Sequence, residues 1–465
     1  MDTYSIGMVG LGTMGRNFML NIADHNHSII GYDKDSLKAI EVNKTEGYKN
    51  LHATADIREF VAGLQKPARI ILLVPAGPIV DFVIKDLIPL LEAGDIIIDG
   101  GNSFYRDTDR RYNELKELGI HFMGMGVSGG EDGARRGPSI MPSGDRAAYD
   151  QVQIILNDVA ARYNDLPCSR YMGNASAGHY IKMVHNGIEY GMMQLIAETY
   201  DILHRGFDRS NEEIAALFES WTKGDLEGYL LESAVTVLRQ KDNLSTGDLI
   251  DYIKDIARQK GTGKWTSQEA MDLQVPVPTI DMSVTARDLS AYAIERARIS
   301  GFVTGKRKIT GTGLEEEDIA SALYLAFLLT YIQGLHLIAV ASGVYKYDTA
   351  MRDVINNWRS GCIIRSSLLG LFEQVYADDD YSAMILSNEE IFRVAEKHVP
   401  MLKKVVLFAL QNDFGSSAYA ATATYFNMMS TKQSPMNMIQ GLRDLFGAHT
   451  FERTDLEGVF HYAWE

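Results

Sequence analysis

The stretch Ser5-Ile6-Gly7-Met8-Val9-Gly10-Leu11-Gly12-Thr13-Met14-Gly15, followed by Phe18, Met19 and Ile22, decides the reading of the fold. A short apolar run gives way to glycines at 10, 12 and 15 and then to apolar residues at helical spacing, so a strand passes through a tight turn into a helix. Glycines there permit close backbone approach. The helix start offers unpaired N–H groups and the positive end of a dipole to a pyrophosphate.

Working outward, the apolar runs Ser28–Tyr32, Arg69–Val74, Asp95–Asp99 and His121–Val127 read as further strands. The segments between them, such as Pro78–Leu91 and Asp107–Leu118, repeat apolar residues three and four apart and stop near Gly94 and Gly119, as helices do. Alternating strands and helices predict a doubly wound α/β, Rossmann-like domain over residues 1–176. Beyond it the strand-like runs vanish, and residues 177–432 read as a large all-α domain. The last stretch, 433–465, is richer in Pro, Gly, His and aromatics than in helical periodicity, and reads as a tail packed on something else.

The 465 residues carry 45 Lys and Arg against 61 Asp and Glu, a net charge of −16, which argues against a nucleic-acid or anionic-membrane partner. With 46% hydrophobic residues and 11 prolines, the chain is built for packed cores rather than disorder. Two cysteines, Cys168 and Cys362, form no disulfide framework or CxxC pair, and fit a reducing, cytoplasmic compartment. The N-terminus runs straight into a strand, so no leader is expected. The run from Ala322 to Tyr345 lacks Asp, Glu, Lys and Arg and is long enough to span a bilayer, but Gln333, Gly334, His336 and Ser342 point to a helix buried in the α domain.

Asp33 ends the second strand 21 residues after Gly12, the position from which a carboxylate accepts from the adenosine ribose hydroxyls. It opposes a 2′-phosphate, and Asp35 repeats the charge, while Lys34 and Lys38 act the other way. NAD is therefore favoured, with NADP as the alternative. Val74, Pro75 and Ala76, with Gly77, follow the third strand and form either a loop under the cofactor or an ordinary turn.

The segment Lys182-Met183-Val184-His185-Asn186-Gly187-Ile188-Glu189-Tyr190 interrupts a buried helical pattern with polar residues at i, i+3, i+4 and i+7. Lys182, His185, Asn186 and Glu189 share one helix face, the first and last about 10 Å apart along the axis. Flanked by Tyr180, Val184, Ile188 and Met192, they make a cleft wall with a base and an acid rather than a solvated face. Ser128-Gly129-Gly130 and Asp99-Gly100-Gly101-Asn102 follow strands, at the carboxyl ends where open sheets bind ligands. Lys260-Gly261-Thr262-Gly263-Lys264-Trp265 is no nucleotide-triphosphate loop, because Trp265 replaces the Ser or Thr and Arg258 the first Gly. It remains either a phosphate-monoester site or a solvated loop. No spacing resembles a metal site, so none is expected.

Gly10–Gly15, Asp99–Asn102 with Tyr105–Thr108, Gly126–Arg135, Lys182–Gly191, Gln259–Thr266 and Arg443–Thr450 together resemble the motifs of decarboxylating 6-phosphogluconate dehydrogenases, in family order over essentially the whole chain. The resemblance implies oxidation of 6-phosphogluconate to ribulose 5-phosphate and CO2 with reduction of NAD(P)+, a reaction of the pentose phosphate pathway. It implies Lys182 as general base and Glu189 as general acid. Tyr190, Lys260, Thr262 and Arg287 match the family's phosphate ligands; Asn102, Ser128, Gly129, Gly130, His185 and Asn186 match those around the sugar acid. Arg443 and His449 would reach the phosphate in the neighbouring subunit of a homodimer.

The pattern departs in places. NADP-using relatives commonly show Asn-Arg-Thr where this chain has Asp33-Lys34-Asp35, and often Lys at Pro75. Phe104, Arg136 and Met192 also differ, and the chain ends 16 residues after His449, which departs from the usual tail contact. Two competing readings are a related β-hydroxyacid dehydrogenase for an unphosphorylated acid, which has no use for Lys260, Arg287, Arg443 and His449 together, and a nicotinamide sensor without turnover.

Overall fold

A computed structural model describes residues 3–259, 261–303, 309, 313–377 and 382–464. The N-terminal domain is built on a seven-stranded sheet in the order β3-β2-β1-β4-β5-β6-β7. Its strands are β1 (Ile6–Val9), β2 (Ile29–Tyr32), β3 (Leu51–Thr54), β4 (Arg69–Leu72), β5 (Ile96–Asp99), β6 (His121–Ser128) and β7 (Ser139–Gly144). The first six are parallel, and β7 closes the edge antiparallel to β6, with Pro142 opposite Met125. The doubly wound expectation holds. Two strands are additional to the sequence reading: β3 is four residues at an edge, and β7 carries Pro142 and two serines in place of an apolar run.

Helices α1 (Thr13–Asp24), α2 (Ser36–Asn43), α3 (Ile57–Ala62), α4 (Pro78–Leu87), α5 (Tyr105–Glu117), α6 (Gly130–Arg136) and α7 (Arg146–Val159) follow or precede these strands. Strands β1, β4 and β5 are buried along nearly their whole length, as a parallel sheet covered on both faces must be. A ribbon of β8 (Arg162–Tyr163) and β9 (Leu166–Pro167) precedes α8 (Ala177–Asp201), the joint of the molecule.

Helix α8 lies directly on the sheet because small residues line the seam. A Cβ on Gly178 would fall 2.1 Å from the Met141 carbonyl, and one on Gly126 would fall 2.5 Å from Lys182 Cβ. Its later turns pack on α11 (Thr262–Asp272), α12 (Pro278–Ser290) and α14 (Glu316–Tyr345). The remaining helices are α9 (Asn211–Trp221), α10 (Tyr229–Arg239), α13 (Ala293–Ser300), α15 (Met351–Trp358), α16 (Leu369–Val375), α17 (Glu389–Gln411) and α18 (Ser417–Met429). The long apolar helix α14 is buried along most of its length, as its interior polar residues predict. Gln333 on it, fully buried, accepts from the Thr279 amide and donates to Thr279 Oγ1, satisfying the free start of α12.

The tail differs from its sequence reading: it opens with a helix, α19 (Met436–Gly447), before a hairpin of β10 (Phe451–Glu452) and β11 (Val459–Phe460). Buried Asp444 organises it, accepting from the amides of Thr450 (2.9 Å) and Tyr462 (3.1 Å), His461 Nδ1 (2.9 Å) and Trp464 Nε1 (2.8 Å). Met438, Leu445, Phe446, Val459 and Tyr462 stand exposed around this knot.

Candidate active site

The three glycines of the first loop serve different ends. Gly10 sits at φ +94°, where a side chain is strained, and a Cβ on Gly15 would lie 1.8 Å from the Gly10 carbonyl, so the helix and the loop touch there. A Cβ on Gly12 would meet nothing within 4 Å, and no side chain caps α1. Leu11 is buried, Thr13 exposed and Met14 half-buried beside this opening. An open, uncapped helix start fits a pyrophosphate.

Asp33 is buried beside the loop. Its Oδ2 accepts from the Leu11 amide (2.9 Å) and from Lys38 Nζ (3.2 Å), and its Oδ1 accepts from the Asp35 amide (3.0 Å). Burial works against its charge, but these donors hold the carboxyl below its ordinary range. Asp35 caps α2 through the Leu37 amide, and Lys34 is exposed; of the two lysines weighed against Asp33, Lys38 is the one that pairs with it.

Val74, Pro75 and Ala76 lead into α4, and Asn102 stands exposed on the loop after β5. One residue the sequence reading missed joins these loops. Arg111, 1% exposed, donates to the Gly77 carbonyl (3.0 Å) and to Asp81 (2.8 Å), and its NH1 lies 3.5 Å from both Ser103 Oγ and Asp99 Oδ2.

The polar face of α8 is real and buried. Lys182 Nζ lies 3.3 Å from His185 Nδ1, which lies 3.1 Å from Asn186 Oδ1, and His185 Nε2 is 3.2 Å from Ser128 Oγ. A neutral ring protonated on Nδ1 faces Asn186 and Lys182 with a donor and accepts from Ser128, an arrangement that suits an uncharged amine. Burial drives the Lys182 amine down, with Glu189 pulling the other way; burial and then Lys182 drive His185 well below its ordinary value. Glu189 is pushed up by burial, against Lys182 and Arg287, and its side chain keeps 21% exposure, so it reaches solvent. A base lowered and an acid raised on one face is the pairing that proton transfer in both directions needs. His179, one turn before Lys182, extends the face: its Nδ1 is 2.7 Å from Thr108 Oγ1. The i−3 spacing was its signal.

Around this face, Arg287 of α12 stacks over the Tyr190 ring, 3.5 Å from its centroid. Thr262 is buried at the start of α11, and a Cβ on Gly263 would fall 2.3 Å from the Tyr190 ring, so α11 is seated on α8 there. Gly129 and Gly130, both at positive φ, lead from Ser128 into α6. Lys260 lies outside the described residues. Arg443 and His449 are exposed on the tail, where Arg443 donates to Gln440 and His449 packs edge-on to Phe446. Of the three residues that departed from the expected pattern, Phe104 packs on Trp265 (4.9 Å between centroids), Met192 is core, and Arg136 pairs with Asp132 on the surface.

Comparison with known proteins covers both halves. Residues 5–173 match the NAD binding domain of 6-phosphogluconate dehydrogenase, and residues 178–464 match the 6-phosphogluconate dehydrogenase C-terminal domain. The chain is 43% identical to the decarboxylating 6-phosphogluconate dehydrogenase of Lactococcus lactis, covering 100% of this chain and 99% of that one. Two Bacillus subtilis relatives of the same name, one NADP(+)-dependent and one NAD(+)-dependent, are 42% and 41% identical, with at least 99% of each chain covered. The solved 6-phosphogluconate dehydrogenase of Plasmodium falciparum superposes with a TM-score of 0.95 at 37% identity, over 99% of this chain and 100% of that one. With both domains matched in order and relatives this similar end to end, the chain belongs to the 6-phosphogluconate dehydrogenase family.

Proposed function

We propose that this protein oxidises 6-phosphogluconate at C3 and decarboxylates it to ribulose 5-phosphate, with Lys182 and Glu189 moving the protons. The observation that carries the reading is the buried Lys182–His185–Glu189 face, whose amine and carboxyl are shifted toward neutrality from opposite sides. When bound, the nicotinamide supplies the hydride acceptor. Lys182, uncharged, takes the C3 hydroxyl proton as C3 becomes a ketone. The 3-keto acid then loses CO2 to an enediol, and Glu189 protonates its C1. Asn102, Ser128, Gly129, Gly130, His185 and Asn186 hold the sugar acid. Because protein groups fill every protonic role, the reaction runs without a metal, and a chelator leaves its rate unchanged.

Tyr190, Lys260, Thr262 and Arg287 take the phosphate, with Arg443 and His449 supplied by the other subunit of a homodimer; the exposed apolar tail supports that arrangement. Arg287→Ala raises KM for 6-phosphogluconate roughly ten- to hundredfold with a smaller change in kcat, since a charge-assisted hydrogen bond contributes about 1.5–3 kcal/mol. An unphosphorylated acid as the true substrate leaves KM indifferent to this change.

NAD+ is the preferred cofactor. Asp33, held ionised by two amides and Lys38, stands where a 2′-phosphate repels it, and exposed Asp35 adds to the field. Initial rates with 6-phosphogluconate give kcat/KM at least about tenfold higher for NAD+ than for NADP+, and Asp33→Asn, which keeps the acceptor for Leu11, narrows the ratio toward parity. A preference for NADP+ in the unaltered enzyme overturns the assignment. No turnover with either overturns the function.

A further inference from the structure

A carboxylate that the chemistry above does not use sits between the two domains. Glu269 of α11 is 3% exposed and accepts from three donors on two other elements. The Tyr105 hydroxyl donates to Oε2 and the Tyr345 hydroxyl to Oε1, while Arg106 NH2 reaches Oε2 at 3.2 Å. Arg106 also ties Tyr105 Oη (2.8 Å) and Asp272 (3.0 Å) into the cluster. The rings of Tyr105, Tyr180 and Tyr345 close around it with centroids 5.0–6.0 Å apart, and Phe104 packs on Trp265 beside it. A buried carboxylate with this many donors holds its partners in one geometry and is costly to leave half-satisfied.

The connections run to both domains. Tyr105 opens α5 three residues after Asn102, so the first donor belongs to the loop at the carboxyl end of β5. Glu269 lies two turns after Thr262 on α11, and between them Thr266 Oγ1 donates to the Met183 carbonyl (2.9 Å), next to Lys182. The start of α11 is thus seated on α8, and its far end is fastened to α5 through the side chains of Glu269 and Asp272 on one helix and Tyr105 and Arg106 on the other. Tyr345, the last residue of α14, anchors the third side.

We propose that Glu269 is a positioning residue for the dehydrogenation: it latches α5 to α11 and so sets the spacing between the Asn102 loop of the cofactor domain and the Thr262 turn that grips the substrate phosphate. This rests on the functional reading above. A misplacement of about 1 Å between hydride donor and acceptor costs up to roughly a hundredfold in rate, so loss of the latch acts on the hydride step rather than on binding.

The test compares the full-length enzyme with Glu269→Gln, Tyr105→Phe, their double variant, and Tyr345→Phe as the mildest change. Glu269→Gln lowers kcat about tenfold and raises the primary isotope effect with 3-deuterated 6-phosphogluconate, while NAD+ affinity stays within about twofold. The double variant is no slower than Glu269→Gln alone, because both act through one link. A distance measurement independent of activity uses spin labels at the exposed positions Glu117→Cys on α5 and Met271→Cys on α11, and Glu269→Gln widens that distribution. An unchanged kcat and isotope effect, even with a lower Tm, makes Glu269 a stabilising brace and overturns the proposal, as does an unchanged label distance. If the unaltered enzyme fails to turn over 6-phosphogluconate while the label distance still responds, the functional reading falls and the latch stands.

Discussion

Replacing Lys182 with Met lowers kcat roughly a thousandfold and leaves NAD+ affinity within about twofold, because a positioned general base contributes about 10²–10⁴. Met keeps most of the volume and the apolar stem, so the site, 6% exposed in the native chain, gains neither a cavity nor an unpaired charge. Lys182→Arg is equally inactive for a different reason: a guanidinium stays charged and has no lone pair to take the C3 hydroxyl proton. A Lys182→Met enzyme retaining more than about a tenth of kcat removes Lys182 from the proton path.

The pH profile follows from the same group, and its sign is determined. Only the neutral amine is a base, so kcat/KM rises with pH through the Lys182 pKa. Burial lowers that pKa from its ordinary value while the Glu189 carboxylate raises it. Removing the Glu189 charge therefore moves the rising limb to lower pH, and removing His185, whose burial beside Lys182 keeps it uncharged, gives no such shift from lost charge.

The parts of this site that sequence made legible are those whose signal is local. The turn at Gly10–Gly15 and the face formed by Lys182, His185, Asn186 and Glu189 are spacings within a single loop or two helical turns, and local pattern reports them directly. The parts it did not reveal are joined across the chain. Thr108 meets His179 over 71 residues, and Tyr105 meets Glu269 over 164, neither of which any window of spacing contains. Arg111 looks like one more arginine on an amphipathic helix, and only the fold shows its guanidinium buried beneath two loops. Strand β7 was hidden by Pro142, and α19 by Pro435, Gly441 and Gly447 within a short segment whose apolar residues find no cover in their own chain. Lys38 rather than Lys34 pairs with Asp33 because α2, capped by Asp35, turns position 38 back toward the loop.

Glu189→Gln is expected to lower kcat about a hundredfold, within the range for loss of a positioned acid, with little change in KM for 6-phosphogluconate. Gln matches the carboxyl in shape, so the difference reports the lost proton together with the lost charge, and the labelling below separates the two. The order of events makes the defect specific: oxidation at C3 and loss of CO2 precede the need for an acid, so the variant forms the enediol and then stalls. Burial holds the Glu189 carboxyl above its ordinary range and the Lys182 amine below its own, so both shifts run toward the forms the reaction uses, a protonated acid and a neutral base. In D2O the unaltered enzyme delivers one deuterium to a single face of C1, because the donor is fixed on α8. In Glu189→Gln, solvent protonates the enediol instead, and ribulose 5-phosphate carries deuterium on both faces of C1. A variant that keeps single-face labelling at an undiminished rate assigns the acid to another group and leaves Glu189 only its influence on Lys182.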